Sequence, residues 1–232
     1  MIDIRPFEGL GHFKNEWLDT RHHFSFDTYM DRERMGWGPL RVWNDDLIAP
    51  GTGFGMHGHH DMEIITYVRE GAISHRDNLG NEGRTVAGDV QVMSAGTGIM
   101  HAEFNQGREP VLLFQIWIMP NRQGIKPRWE TRAFPREARH GKLLALASGR
   151  EGDGDAIPIQ QDAAILGASL AAGERVTYGL EPGRRVYVVP TVAAVTINGI
   201  EVPPRAGVAI AAEQMLDITA KAPTELIVAD VP

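Results

Sequence analysis

GTGFGMHGHHDMEIITYVREGAISHRDNLGNEGRTVAGDVQVMSAGTGIMHAEFN, residues 51–105, is built from short apolar runs separated by Gly, Asn and Asp. Runs of this length between turn-forming residues predict short β-strands joined by tight turns. The pattern extends outward in both directions, through LRVWNDDLI (40–48) on one side and VLLFQIWIM (111–119) on the other. Asp77-Asn78-Leu79-Gly80-Asn81 predicts one hairpin turn. Asn198-Gly199, flanked by Val195-Thr196-Ile197 and Ile200-Glu201-Val202, predicts another, because Asn-Gly suits the turn whose two central residues have positive φ. Helix is expected only after Gln161 and over Asp31 to Met35. Strands of this density without intervening helices favour a sandwich or barrel over a parallel α/β sheet.

Composition narrows the chemistry. The chain has 232 residues, 23 Lys and Arg against 30 Asp and Glu, and no Cys. Disulfides, thiolate metal sites, iron–sulfur clusters and Cys nucleophiles are thereby excluded. The longest nearly apolar run, Val111 to Met119, is nine residues broken by Gln115, far short of the roughly 20 of a membrane helix. The first residues show no apolar segment of signal-peptide type, so a cytoplasmic protein is expected. A formal charge of −7 without a long basic cluster argues against binding a nucleic-acid backbone.

The rare residues are unevenly placed. Eight of nine His lie at or before His101, all five Trp at or before Trp129 and all eight Phe at or before Phe134. Residues 141–232 carry none of the three and are rich in Ala, Val and Ile. Polar and Pro/Gly content rises across residues 120–137, which suggests two domains, 1–130 and 131–232. Gly183 to Val189, Val195 to Ile200 and Pro203 to Ile210 echo Val68 to Ser74 and Arg84 to Val92, a faint internal repeat.

Two clusters carry the chemistry. His57 and His59 stand at i and i+2, and so do His101 and Glu103. On a strand such pairs share a face, with Cα atoms about 6.6 Å apart, and neighbouring strands lie about 4.8 Å apart. Two pairs on adjacent strands can therefore converge on one ion with bonds near 2.1 Å. Three imidazoles and one carboxylate suit Fe(II), Ni, Cu, Co or Zn, whereas Mg and Ca prefer oxygen shells. Four protein ligands on a six-coordinate ion leave up to two open positions.

Other titratable residues have plainer readings. His60 has the opposite strand parity and Asp61 sits at an expected bulge, so both are read as solvent-facing or as partners of the ligands. Glu63 shares the parity of His57 and His59 and is read first as a partner holding an imidazole; ligation or burial with other partners are the alternatives. His75 lines the cavity or lies on the surface. His12, His22 and His23 are expected to pack or to hydrogen-bond in a turn-rich aromatic region. Any pocket role for Phe54, Met56, Met100 or Phe104 is left open.

The run GTGFGMHGHHDMEIITYVREG resembles the first cupin motif at Gly51, His57, His59, Glu63 and Gly71, the last displaced by one residue. MSAGTGIMHAEFN resembles the second motif at Gly98, His101 and Asn105, with Ser94 where Pro is usual and Gly88 two residues early. Together with GHFKNEWLDTRHHFSFDTYMD, LRVWNDDLI and FQIWIMP, these motifs resemble the pirin family, specifically its bacterial quercetinase-like members. The likeness covers residues 10–130 and fades after 135.

The resemblance implies an all-β fold of two cupin, jelly-roll-like barrels in tandem with few short helices. It implies one divalent transition metal held by His57, His59, His101 and Glu103 in the first barrel, with Fe(II) expected and Ni, Cu, Co, Mn or Zn as alternatives. The second barrel would have lost its ligands. By analogy with quercetin 2,3-dioxygenases, the substrate would be a small flavonol-like aromatic together with O2, and Glu103 would be the catalytic base. The alternative is a metal-bearing regulatory or redox-sensing protein that binds a protein partner without turnover. A cupin isomerase or sugar-binding barrel fits the fold but has no sugar-specific signal in the sequence.

Overall fold

The computed structural model describes residues 1–232. The chain forms two compact units, Gly11–Phe134 with Ile157–Gln161, and Met1–Leu10 with Pro135–Ala156 and Asp162–Pro232. No α-helix forms; the helical residues are two single 3-10 turns, Phe7–Gly9 and Arg136–Arg139. No helix is long and apolar enough to cross a membrane.

The strands of the first half are β1 (Ile2–Arg5), β2 (Gly11–Lys14), β3 (Leu18–His22), β4 (Leu40–Ile48), β5 (Gly53–His59), β6 (Glu63–Glu70), β7 (Ala72–Asp77), β8 (Glu82–Val86), β9 (Val90–Ser94), β10 (Ile99–Phe104), β11 (Val111–Ile118) and β12 (Arg128–Arg132). In the unit centred on residues 11–134, seven strands run in the order β12-β9-β6-β11-β4-β3-β2 and four in the order β5-β10-β7-β8. Each pairing in these two sheets is antiparallel.

Register explains the character of this unit's interior. Cross-strand partners share a face, so the pairs His22↔Asn44, Asn44↔Gln115, Gln115↔Thr66, Thr66↔Gln91 and Gln91↔Thr131 line up one polar row across the larger sheet. Apolar clusters lie on either side of it. One gathers Ile48, Val68, Ile73, Val111 and Leu113, the other Ile64, Met93, Ala95 and Ile99. Full burial of each Ile or Leu contributes about 1.5–3 kcal/mol, so the two clusters hold the sheets while the row between them stays available for chemistry.

The remaining strands are β13 (Leu144–Ser148), β14 (Ile157–Pro158), β15 (Ala164–Leu170), β16 (Arg175–Gly179), β17 (Arg185–Pro190), β18 (Val195–Ile197), β19 (Ile200–Val202), β20 (Gly207–Ala211), β21 (Met215–Ala220) and β22 (Thr224–Val231). In the C-terminal unit the strands run β1-β20-β17-β22-β15-β13, and a smaller sheet runs β16-β21-β18-β19. The smaller sheets of the two units share one sequence of connections, which gives the internal repeat a structural form. Where the first has His57, His59, His101 and Glu103 on β5 and β10, the second has the apolar Val176, Leu216 and Ile218 on β16 and β21, all in one buried cluster.

Three expectations are corrected. The stretch after Gln161 is strand β15, not helix, because Ala164 to Ala168 are buried on successive residues, as a covered central strand requires. Asp31 to Met35 forms turns rather than helix, with the Ser25 hydroxyl bonded to both the N–H and the C=O of Asp31. The division at 130/131 differs from the observed units at three places, one of them the inclusion of Ile157–Gln161 in the first unit. The first unit runs on to Phe134, and Met1–Leu10 belongs to the C-terminal unit, where β1 pairs with β20 and covers an edge that would otherwise be unpaired. Both hairpin turns form. Asn198 and Gly199 have φ of 49° and 81°, the two positive values the Asn-Gly signature requires.

Candidate metal centre

β5 and β10 pair antiparallel with His57 opposite His101. The register shifts between His101 and Glu103, where Glu103 faces Phe54, so one extra residue of β5 bulges and re-aims its side chains. Close approach of the two strands depends on Gly53, where an added Cβ would lie 2.7 Å from the Cα of Phe104.

The ligand atoms of His57, His59 and His101 lie within 4.8 Å of one another. Nε2 of His57 is 3.1 Å from Nε2 of His101, and the ring centroids of His57 and His59 are 4.8 Å apart. Nδ1 of His57 donates to the Gly55 carbonyl at 2.7 Å, so in the neutral ring Nε2 carries the lone pair, aimed at His101. Two nitrogens bound at about 2.1 Å to one tetrahedral or octahedral ion lie about 3.0–3.4 Å apart. The observed spacing is that of two ligands of a common cation.

Electrostatics favours neutral rings. Burial, and then the charge of His57, push His59 down to about 4. Burial and the neighbouring imidazoles push His101 down to about 2. At neutral pH both rings offer lone pairs instead of N–H⁺ groups, the form a metal needs.

Glu103 is placed differently from the three imidazoles. Its carboxylate lies within 4.8 Å of the nitrogens of His75 and His101 and accepts hydrogen bonds from two amides of the polar row. Gln115 Nε2 donates to Oε2 at 3.0 Å, and Gln91 Nε2 donates to Oε1. Each amide is oriented by an indole. Trp117 Nε1 donates to Gln115 Oε1 at 3.1 Å and Trp129 Nε1 to Gln91 Oε1 at 3.3 Å. Burial raises the Glu103 carboxyl to about 7, against the lowering effect of these bonds.

His75 is a cavity residue. It is buried, opposite Glu103 on β7, with its ring stacked on Trp129 at 4.6 Å and 6°. Asp77, legible in the sequence only as a turn residue, lies opposite His101 and bonds His75 Nε2 at 3.1 Å. Gln91, Gln115, Trp117 and Trp129 were also missed by sequence reasoning. Gln115 did leave a signal, as the single polar residue inside the run Val111 to Met119.

Glu63 does not hold an imidazole. Its buried carboxylate accepts from Ser94 Oγ at 2.7 Å and from the Gln160 backbone. The turn at His60–Met62, where Asp61 has a φ of 44°, breaks the strand parity that would have carried Glu63 to the face of His57. His60 is exposed and pairs with Asp61 at 2.9 Å. His22 bonds Asn44 at 2.8 Å inside the polar row, and His12 bonds Asp19 at 2.8 Å. Phe54 packs edge-on against Trp17, while Met56 and Met100 are exposed.

A cavity of about 330 Å³ opens at His59, lined by Gly58, His60, Asn78, Ile99 and Met100. On another side of His59 stands Trp117, edge-on at 4.9 Å, and Phe26 meets Trp117 at 5.3 Å. The donor set of neutral imidazoles with a nearby carboxylate fits a divalent transition ion.

Comparison with known proteins gives the family. Residues 4–118 match the family described as Pirin, and residues 145–231 match the Quercetinase C-terminal cupin domain. The chain is 54% identical over 230 residues to a Pirin-like protein of Caulobacter vibrioides, covering 99% of each. It is 42% identical over 234 residues to the Quercetin 2,3-dioxygenase of Escherichia coli, covering 100% of this chain and 99% of the relative. The crystal structure of the bacterial pirin YhhW from Escherichia coli in complex with nickel(II) superposes with a TM-score of 0.93 at 41% identity, covering 100% of this chain and 99% of that one.

Proposed function

The chain belongs to the pirin family, and we propose that it is a metal-dependent dioxygenase that opens the ring of a flavonol-like substrate with O2. The observation that carries the reading is the convergence of three imidazoles at His57, His59 and His101. The name of the Escherichia coli relative, Quercetin 2,3-dioxygenase, supports the reaction class. The nickel complex of YhhW supports a divalent ion in a fold of this kind.

In this reading His57, His59, His101 and Glu103 hold the ion, with Fe(II) as the physiological metal and nickel able to replace it. When bound, such an ion supplies Lewis acidity, which lowers the pKa of a substrate hydroxyl, and open positions for substrate and O2. Glu103 acts as the base for the flavonol 3-hydroxyl, and because the ion acidifies that hydroxyl the base need not be strong. Gln91 and Gln115 keep its two oxygens in place. Trp117 and Phe26 offer a planar substrate an apolar wall beside His59.

Anaerobically purified protein, assayed for metal, for loss of quercetin absorbance and for CO release, tests the proposal. The expected result is turnover that is lost in His57→Ala. Equal rates for the two proteins would overturn it. A full metal load without turnover would replace it with a metal-bearing binding protein.

A further inference from the structure

The contacts leading away from the three imidazoles determine where each ring carries its proton. Asp77 accepts the backbone N–H groups of Leu79 and Asn81 on Oδ1, at 2.9 and 3.0 Å, and the Asn81 amide on Oδ2 at 2.8 Å. With N–H donors on both oxygens, the carboxylate acts as an acceptor. Nε2 of His75, 3.1 Å from Oδ2 of Asp77, therefore carries the proton of that ring. Its Nδ1 is then a lone pair.

That lone pair faces Nδ1 of His101 at 3.4 Å, so His101 donates from Nδ1 and its Nε2 is left bare. This is the nitrogen that lies 3.1 Å from Nε2 of His57. The reverse assignment, with His101 protonated on Nε2, would require His75 to donate from Nδ1 and would set a bare nitrogen against a carboxylate. Register produces the chain of contacts, because Asp77 lies opposite His101 and His75 opposite Glu103 on one face of the smaller sheet. Flat stacking on Trp129 fixes the plane of the His75 ring.

We propose that Asp77 and His75 are positioning residues which fix the tautomer of His101, so that the hairpin turn at Asp77–Asn81 aims a ligand lone pair into the metal centre. The proposal rests on the reading of His57, His59 and His101 as that centre and is independent of the flavonol chemistry. A ligating imidazole whose other nitrogen has a partner is held in one orientation and is made more basic.

Full-length metal-free protein, titrated with Ni(II) alone and examined by ¹⁵N NMR of its imidazoles, tests it. Wild type should show His101 protonated on Nδ1. Asp77→Asn keeps an oxygen for the turn but presents an N–H to His75, which reverses both rings. It should show His101 protonated on Nε2 and bind Ni(II) about 10–100-fold more weakly. His75→Phe keeps a ring on Trp129 without an acceptor and should lose a similar factor, whereas His75→Asn, with an oxygen near the place of Nδ1, should recover most of it.

His101 protonated on Nε2 in the wild type would overturn the proposal. So would wild-type affinity in His75→Phe with the His101 tautomer unchanged. If His75→Phe fails to fold, Asp77→Asn decides by the same two measurements. If wild type binds no Ni(II), the metal-centre reading falls, and the tautomer of His101 alone decides whether Asp77 and His75 set it.

Discussion

Gln115 donates from Nε2 to Oε2 of Glu103 at 3.0 Å while its own Oε1 accepts from the Trp117 indole at 3.1 Å. With Gln91 and Trp129 repeating the arrangement on the other oxygen, Glu103 is suspended between two amides. Gln115→Leu removes one donor and pushes the carboxyl further up. Quercetin turnover should fall about 10–100-fold while bound metal changes much less, which parallel rate and metal assays would reveal. Equal losses of metal and rate would mean that Gln115 acts on the ion itself.

Removal of a ligand should have the opposite signature. His101→Ala deletes the imidazole shared by both groups of potential ligands, so metal affinity should drop by more than the about 100-fold typical of an outer partner. Inductively coupled plasma analysis of dialysed protein is the measurement. Folding should survive, because the apolar clusters on either side of the polar row remain.

Gly53 tests the packing of the two ligand strands. A methyl group there would meet the Glu103 carbonyl and the Phe104 Cα, so Gly53→Ala should force β5 from β10. Overpacking of this kind costs about 1–3 kcal/mol. Denaturant unfolding should show that loss, together with weaker metal binding that Gly55→Ala, with nothing near its added Cβ, does not reproduce.

The C-terminal unit carries its own pH dependence. Burial, and then the hydrogen bond to Asp230, raise the Tyr178 hydroxyl from 10.0 to about 12. The folded state therefore holds a proton that the unfolded state has released between those values. This stabilisation is fully present below pH 10 and is lost as pH rises through 12. Solvent screening reduces it to about 1–2 kcal/mol. Denaturation midpoints at intervals from pH 9 to 12 should fall in wild type more steeply than in Tyr178→Phe.

Much of the centre was legible because strand geometry is periodic. The i, i+2 spacing put His57 with His59 and His101 with Glu103, and the turn residues located both hairpins. What escaped was whatever depends on a partner strand. Asp77 reads locally as a turn residue, and only pairing of β7 with β10 sets it opposite His101. Glu63 was misplaced because a left-handed residue at Asp61 resets the alternation. The helix expected after Gln161 failed because an apolar run buried on both faces has no period to read.

Local sequence, acting through turn chemistry and two-residue alternation, determined that this chain is all-β, that eight of its nine histidines lie at or before His101 and that residues 141–232 keep the strands without imidazoles. Tertiary structure decided the rest. It placed Met1–Leu10 in the C-terminal unit and turned the polar row toward Glu103. It also set His75 between Asp77 and His101. Register between strands distant in sequence is a property of the folded sheet, and no residue carries it alone.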